Sequence, residues 1–206
     1  VDGMEIYFVA NQSVRPLETA PVFRVRGLQP ELWNAMDGSV RKLPDFTETD
    51  QGIRVPLRFE KYESAFIVFR SPAQSSAGKG VSANYPRTVT VAEPEKAWQL
   101  TFDPARRGPS KPVFMERLAD LTASEDFNIR HYSGAVLYRN VFTLAAVPVG
   151  KVFVDLGALA AMAKVKINGL YVGGAWTPPY RIDITDAVRS GENQLEVEVV
   201  TTWKNR

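Results

Sequence analysis

Short runs of β-branched and aromatic residues, separated by turn-forming residues, recur along the whole of this sequence. Such runs are typical of β-strands, because these side chains fit the pleated surface of a sheet. The run at 53–59 alternates apolar and polar residues, which indicates one solvent-exposed face, whereas 64–70 is almost continuously apolar, as in a central buried strand. Further strands are predicted at residues 6–9, 22–25, 31–33, 40–43, 88–91, 98–102, 135–142, 151–157, 164–167, 170–172 and 193–199.

Two dipeptides predict hairpins between neighbouring strands. Asn168 and Gly169 separate the runs at 164–167 and 170–172, and Asp37 and Gly38 precede another run. A tight hairpin turn needs positive φ angles, which asparagine and glycine accept more readily than other residues. Both dipeptides therefore predict antiparallel pairing between strands that are adjacent in sequence.

Helical patterns are scarce, and only 116–121 and 185–189 are expected to form a turn or two of helix. A small, polar segment at 71–80 is the best candidate for a linker. A chain of 206 residues is long enough for two small domains with cores of their own. The sequence therefore predicts an all-β protein of two β-sandwich-like domains, over residues 1–92 and 93–206.

Composition excludes several classes of function. The chain has no cysteine, which removes disulfides, thiolate metal sites and cysteine nucleophiles. Its net charge is only +2 with dispersed basic residues, so a nucleic-acid partner is not expected. No stretch approaches the ~20 apolar residues of a membrane span. The single histidine, His131, lacks a Gly-x-Ser-x-Gly motif and is expected to be a hydrogen-bonding loop residue, with no metal site.

The densest series of motifs lies between Tyr132 and Arg206. Its members, in chain order, are Ser133-Gly134, Tyr138-Arg139, Val154-Asp155-Leu156-Gly157, Ile167-Asn168-Gly169, Val172-Gly173, Trp176, Pro178-Pro179-Tyr180, Ile182-Asp183-Ile184-Thr185, Gly191-Glu192-Asn193 and Trp203. This series resembles the sugar-binding β-sandwich domain of glycoside hydrolase family 2, and most closely the copy at the C-terminal end of family 106-type α-L-rhamnosidases. The first ninety residues resemble the β-rich domain that precedes it. The resemblance implies a galactose-binding-like jelly roll for the second domain.

Catalysis by this chain alone is not expected, and no catalytic residue is assigned. Glycoside hydrolysis generally needs two carboxyl groups around one sugar ring, about 5 Å apart for retention or about 6.5–9.5 Å for inversion. The resemblance implies that these acids lie in a (β/α)₈ barrel elsewhere in the polypeptide, and no alternating strand–helix pattern occurs here. The acidic candidates, all in contexts typical of solvated loops or turns, are Glu116, Asp120, Glu125, Asp126, Asp155, Asp183 and Asp186.

Aromatic residues are the candidates for sugar binding, because the C–H faces of sugar rings pack on indole and phenol rings. Trp176 and Tyr180 flank two prolines in a segment too irregular for a strand. An alternative stays open, in which these aromatics cap the end of the sandwich or pack against the barrel. The predicted sugar-binding residues are Trp176, Tyr180, Arg181, Tyr171 and Trp203.

Three functions stand as hypotheses. The first is a non-catalytic accessory or carbohydrate-binding region of a bacterial glycoside hydrolase that acts on plant-type polysaccharide and supports a catalytic barrel. The second is a free-standing carbohydrate-binding module, and the third is a surface adhesion or scaffold sandwich without sugar chemistry. The resemblance also implies export to the periplasm or cell surface. No cofactor is expected, although structural calcium stays open, with Asp126 and Asn128 as candidate ligands.

Overall fold

The computed structural model describes residues 3–73, 84–85, 87–159 and 162–201. The chain divides into two compact units, Val1–Thr88 and Val89–Arg206. Their regular structure, over the described residues, consists of antiparallel strands with one four-residue helix and two short 3-10 turns. The predicted all-β class is therefore confirmed, and the domain assignment 1–92 and 93–206 stays a prediction. None of the described helices has the length and hydropathy needed to cross a bilayer.

The first unit contains three antiparallel sheets, with strand orders β1-β9-β4-β5, β3-β7-β6 and β2-β8. The longest strand, β9, lies between β1 and β4, which confirms that the apolar run at 64–70 is a central strand. The described strands are β1 Glu5–Ala10, β2 Leu17–Thr19, β3 Val22–Phe23, β4 Leu28–Trp33, β5 Val40–Lys42, β6 Thr47–Thr49, β7 Gly52–Arg54, β8 Leu57–Phe59 and β9 Ser64–Pro72.

An aromatic cluster forms the centre of the core of the first unit. Phe23, on the short strand β3, packs against Tyr7 of β1 and Phe69 of β9, with ring centroids 4.9 and 5.4 Å away. Edge-to-face and tilted contacts of this kind contribute roughly 0.5–1.5 kcal/mol beyond the area that they bury. Leu43 and Ile53 belong to the same core and are fully buried. Strands from separate sheets thus share one hydrophobic core.

The second unit contains a six-stranded antiparallel sheet in the order β11-β10-β12-β17-β14-β15, beside a two-stranded ribbon of β13 and β16. Its helix α1 is Phe127–Arg130, and its 3-10 turns are Pro104–Arg106 and Leu121–Ala123. The described strands are β10 Trp98–Thr101, β11 Val113–Met115, β12 Ala135–Leu144, β13 Phe153–Asp155, β14 Met162–Ile167, β15 Leu170–Ala175, β16 Arg181–Asp183 and β17 Gly191–Val200.

The hairpin predicted at Asn168 and Gly169 joins β14 to β15 and is confirmed. Both residues have positive φ angles, 52° and 82°, as a two-residue hairpin turn requires. Further along, the pairing shifts between Val165 and Lys166, so β15 carries one extra residue and forms a bulge beside Gly173, whose φ is 139°. This bulge therefore lies in the outermost strand of the six-stranded order.

Asn193 is a fully buried polar residue at the start of β17. Its side-chain oxygen accepts hydrogen bonds from Asn168 Nδ2 and Arg189 N, both at 2.9 Å. Its amide nitrogen donates to Arg189 O at 2.8 Å and to Gly191 O at 2.9 Å. Four hydrogen bonds therefore satisfy this amide and tie the β14–β15 hairpin to the segment that leads into β17.

Two predicted strands differ from the structure. Residues 88–91 form no strand, because an alternating pattern does not form a strand without a neighbour to pair with. Val89, in this segment, is 77% exposed. The predicted strand at 53–59 is divided into β7 and β8, since Pro56 has no N–H for a ladder. Its alternation of buried apolar and exposed polar side chains is nevertheless confirmed.

The predicted helical turns are also corrected. Residues 116–120 form no helix, and Leu121 begins the 3-10 turn Leu121–Ala123. Helix α1 begins after Asp126, whose side chain accepts hydrogen bonds from Asn128 N and Ile129 N as an N-cap. The segment 185–189 forms a hydrogen-bonded turn rather than a helix. The proposed linker 71–80 begins within β9, and its residues 74–80 lie outside the described part of the chain.

The turn predicted at Asp37 and Gly38 does join two paired strands, but it is longer than expected. Trp33 of β4 pairs with Val40 of β5, which leaves residues 34–39 as the loop. Gly38 has a φ of 70° and donates its N–H to Asn34 O at 2.9 Å. The glycine therefore supplies the left-handed conformation within a longer loop.

Candidate functional site

The loop between β15 and β16 holds two of the predicted sugar-binding residues in different environments. Trp176 is 57% exposed, so its indole is accessible to solvent. Tyr180 is half-buried and packs against the core of the second unit. The backbone of Tyr180 is fixed as well, because its carbonyl accepts a hydrogen bond from Leu156 N at 2.9 Å. Tyr180 therefore acts as an anchor of the loop, and Trp176 presents its ring to solvent.

The β13–β16 ribbon continues from this loop and has two distinct faces. Val154 pairs with Ile182, and both pack against the core of the second unit. Because side chains alternate along a strand, the residues on either side of this pair face outward. We call these outward residues the ribbon face: Phe153, Asp155, Arg181 and Asp183, all of them exposed.

Two ion pairs organise the charges around the ribbon face. Arg181 Nε donates to Asp155 Oδ2 at 2.7 Å, across the two strands. Lys151 Nζ donates to Asp183 Oδ2 at 2.6 Å. Phe153 lies opposite Asp183 in the register. The face therefore combines an apolar ring with two paired acid–base groups.

The pKa of each ribbon-face carboxyl group is lowered from its ordinary value. Burial alone would raise the pKa of Asp155, but hydrogen bonds from Arg181 and from Gly157 N–H, with the charge of Arg181, outweigh it and lower the pKa. For Asp183, burial is likewise outweighed by hydrogen bonds from Lys151 and Thr185, so its pKa is also lowered. Each group is therefore a carboxylate at neutral pH, able to accept hydrogen bonds but not to donate a proton.

The local sequence explains why these carboxylates are fixed in place. Asp183 Oδ1 accepts hydrogen bonds from Thr185 N at 3.1 Å and from Thr185 Oγ1 at 2.6 Å, which fixes the turn after the strand. Asp155 Oδ1 accepts from Gly157 N at 2.9 Å in a similar Asx turn. In each aspartate, one carboxylate oxygen accepts the hydrogen bonds of the turn, and the other accepts a hydrogen bond from the side chain of Arg181 or Lys151.

Two further residues predicted to bind sugar are Tyr171 and Trp203. Tyr171 lies on β15 with its side chain exposed, and its hydroxyl would lie 3.6 Å from a Cβ added at Gly174. The tyrosine ring therefore extends along the strand towards the Trp176 loop. Trp203 lies outside the described residues. Whether these residues bind sugar stays a prediction.

Sequence reasoning missed part of this site. It placed Arg181 there but not its partner Asp155, nor Lys151 and Phe153. The sequence did contain a signal for this pairing. Val154 is flanked by Phe153 and Asp155 in one run, and Ile182 is flanked by Arg181 and Asp183 in the other. Opposite charges at directly paired positions are favourable in an antiparallel ribbon.

A separate cavity of about 430 Å³ lies at the end of β12 and β17. Arg106 and Asp103 approach each other across it, with 3.7 Å between Nε and Oδ2. Gly134 forms part of the wall, where an added Cβ would lie 2.7 Å from the Tyr132 hydroxyl oxygen. The cavity is lined by Asp103, Arg106, Ser133, Gly134, Ala135, Val200 and Thr201.

Metal-ligand geometry is not found in the described part of the chain. There, no group of three or more His, Cys, Asp or Glu side chains could hold a metal ion. Asp126, named as a calcium candidate, uses one oxygen as the N-cap of α1. His131 follows the same helix, where its ring lies 4.4 Å from that of Phe127 and accepts a hydrogen bond from Arg130 Nε at 3.3 Å.

The chain is similar to one part of a larger protein of known structure. No protein-family model matches the chain. A solved rhamnosidase from Novosphingobium sp. PP1Y matches all of the chain with 32% identity and a TM-score of 0.82, but the match covers only 19% of that protein. The chain thus resembles one part of a larger glycosidase. This supports a glycoside hydrolase-associated region, without singling out family 106.

A second similarity points in the same direction. A protein described as a β-glucuronidase from Formosa agariphila is 35% identical over 112 residues, which are 53% of this chain and 10% of that protein. The β-D-glucuronidase of Dictyoglomus thermophilum matches 58% of the chain at 24% identity, with a TM-score of 0.44. The chain therefore spans about a tenth to a fifth of the length of the first two proteins.

Proposed function

We propose that this chain is a non-catalytic accessory region of a larger bacterial glycoside hydrolase, of the family 106 rhamnosidase type, that supports a catalytic barrel in the same polypeptide. One observation carries the proposal, namely the full-length match to a 19% segment of a solved rhamnosidase. Plant-type polysaccharide as the substrate, a galactose-binding-like second domain and export to the periplasm or cell surface belong to the same proposal, and they rest on the family resemblance of the sequence.

The chemistry of the ribbon face supports a non-catalytic role. A glycosidase needs a general acid that keeps its proton at neutral pH, which requires a raised pKa. Asp155 and Asp183 have lowered pKa values, and each is already paired with a cation. These two carboxylates, which share one face, therefore lack the acid that the reaction requires.

Deletion of residues 1–206 from the longer enzyme tests the proposal. We expect the shortened enzyme to unfold at a lower temperature and to lose activity, with a larger loss on polymeric substrate than on a small aryl glycoside. The 206-residue chain alone, incubated with the same two substrates, should give no turnover. The proposal is wrong if the deletion leaves both the unfolding midpoint and the two activities unchanged, or if the chain alone hydrolyses either substrate.

A second candidate function is direct carbohydrate binding, and the exposed indole of Trp176 favours it. An exposed tryptophan provides an apolar plate for the C–H face of a sugar ring. The ion pair of Asp155 and Arg181, on the ribbon that follows the same loop, offers a carboxylate and a guanidinium that can hydrogen-bond to ring hydroxyls. The exposed Tyr171 completes the candidate surface, with Tyr180 as the half-buried support of the loop, and a free-standing binding module would use the same residues.

Trp176→Ala is expected to weaken binding to a responsive plant polysaccharide on the order of tenfold, because the stacking surface and its buried area are lost. Isothermal titration against a panel of plant polysaccharides would measure the change. Phe114→Ala is the matched control, since Phe114 is an exposed aromatic residue elsewhere in the second unit. Equal affinities for the wild type and Trp176→Ala, or no saturable binding by the wild type, would rule out sugar binding at this loop.

A further inference from the structure

A row of four apolar side chains crosses the β1-β9-β4-β5 sheet of the first unit. Phe8 pairs with Phe66, Phe66 pairs with Trp33, and Trp33 pairs with Val40, so one residue from each strand lies at the same level. The residues that flank Phe8 and Phe66, and Leu32 beside Trp33, pack into the core of the first unit. Val40 shares the face of Trp33, its direct partner. Because successive side chains alternate, these four point away from that core. We call them the outer apolar row.

The outer apolar row is exposed at both of its ends. Phe8 is 64% exposed and Val40 is 49% exposed. Phe8 and Phe66 stack in a tilted arrangement with ring centroids 5.3 Å apart. Ile6, on the same face of β1, is also 49% exposed. A contiguous apolar surface that runs across a whole sheet is typical of a surface that another protein surface covers.

A buried carboxylate fixes the middle of the row. Glu31, whose side chain is only 5% exposed, accepts hydrogen bonds from Arg70 Nε and Trp33 Nε1, both at 3.0 Å and both on Oε2. The guanidinium of Arg70 also lies over the Trp33 ring, 5.1 Å from its centroid. The indole is thereby held in one orientation, and its only donor is already used.

This arrangement favours a protein occupant over a sugar. Sugar recognition needs polar groups beside the apolar plate that hydrogen-bond to ring hydroxyls. Phenylalanine and valine side chains have no polar atoms, and the Trp33 N–H is donated to Glu31. The Arg70 guanidinium beside the indole is held by the same buried carboxylate, which has little exposed surface to offer a hydroxyl. Apolar side chains of this kind are instead what a packed sheet or helix buries, at a spacing of about 10 Å from the sheet.

We propose that the outer apolar row docks against an apolar surface of the same longer polypeptide, outside residues 1–206. This inference rests on the proposed function. Its support is the solved rhamnosidase, in which a segment with the fold of this whole chain makes up only 19% of the protein. Most of such a protein lies outside the matched segment, and an apolar face buried within one chain needs no second molecule.

Site-specific photocrosslinking in the longer polypeptide tests the docking. Benzoylphenylalanine at position 8 in place of Phe8, followed by irradiation and peptide mapping, should give a crosslink to a peptide outside residues 1–206. The matched control carries the same group at position 114, because Phe114 is 66% exposed and lies outside the row. Adding Val40→Asp at the far end of the row should cause loss of most of the position-8 crosslink, since a charge opposes docking.

Several results would overturn the inference. These are a position-8 crosslink that stays within residues 1–206, one that joins two copies of the protein, and a yield no higher than at position 114. If the position-8 protein does not fold, as judged by circular dichroism, the crosslinker at position 40 gives the same readout. Failure of the docking is distinguishable from failure of the proposed function, because the deletion of residues 1–206 would still reduce activity.

Discussion

Replacing Gly52 with alanine is expected to lower the free energy of unfolding by about 3 kcal/mol or more. Gly52 has a φ of 135°, a conformation that an L-residue adopts at a cost of roughly 1–2 kcal/mol. An added Cβ would also overlap the carbonyl oxygen of Phe23 and lie 2.9 Å from its carbonyl carbon. These are backbone atoms of the paired strand β3, so β3 and β7 would have to separate, at a further cost of roughly 1–3 kcal/mol.

Urea denaturation measures this effect, and Gly27→Ala provides the matched control. Gly27 also has a positive φ, 66°, but an added Cβ there would meet no atom within 4 Å. Gly27→Ala should therefore lose only the conformational part, about 1 kcal/mol. Hydrogen exchange of the Ile53 amide should increase selectively in Gly52→Ala. Equal stabilities of the two variants would show that the close approach to Phe23 is not limiting.

Asn193→Ala is expected to cost about 3 kcal/mol in the free energy of unfolding, the second large effect. The substitution removes four hydrogen bonds at a fully buried position and leaves the partner groups of Arg189 and Gly191 without that amide. Each unsatisfied buried group costs roughly 1–3 kcal/mol, and water reduces the total because Arg189 is exposed. Asn168 keeps its bond to Ala187 O, so the hairpin loses one of its ties rather than all of them.

The control for this prediction is the adjacent exposed residue. Gln194→Ala should change stability by no more than about 0.5 kcal/mol, because its side chain faces solvent. Amide exchange at Asn168 and Gln194, whose backbone N–H groups join the hairpin turn to β17, should increase in Asn193→Ala. A loss below about 1 kcal/mol in Asn193→Ala would show that the amide network adds little beyond solvation.

Local patterns predicted the β-strands well where a short run of residues carries the signal by itself. The Asn168 and Gly169 turn, the alternation at 53–59 and the apolar run of β9 are all of this kind, although the partner strands of β9 lie far away in sequence. Residues 88–91 have the same composition but no partner strand, and pairing is a property of the fold rather than of the run. Helix α1 was missed because four residues are too few to show a helical period.

The position of Trp33 shows a second limit. Large aromatic residues such as tryptophan are mostly buried, and Trp98 does pack against core residues of the second unit. Trp33, however, follows Leu32, and consecutive residues of a strand face opposite sides. Since Leu32 packs against the core, Trp33 must face outward.

The candidate site was predictable in its aromatic residues but not in its charges. Trp176 could be located from the proline-rich loop around it. The pairing of Asp155 with Arg181 depends on the register of two strands that are 26 residues apart, and one strand alone does not fix that register. Asp155 and Asp183 stood among the acidic candidates in turn-like contexts, and their lowered pKa values make them hydrogen-bond acceptors.

The bulge in β15 has a consequence for solubility. An outermost strand with a regular row of unpaired N–H and C=O groups would be a template for strands from other molecules, and such growth leads to aggregates. The extra residue of β15 beside Gly173 breaks the two-residue repeat that an incoming strand would have to match. The irregular edge of β15 thus disfavours growth of the sheet by strands of other molecules.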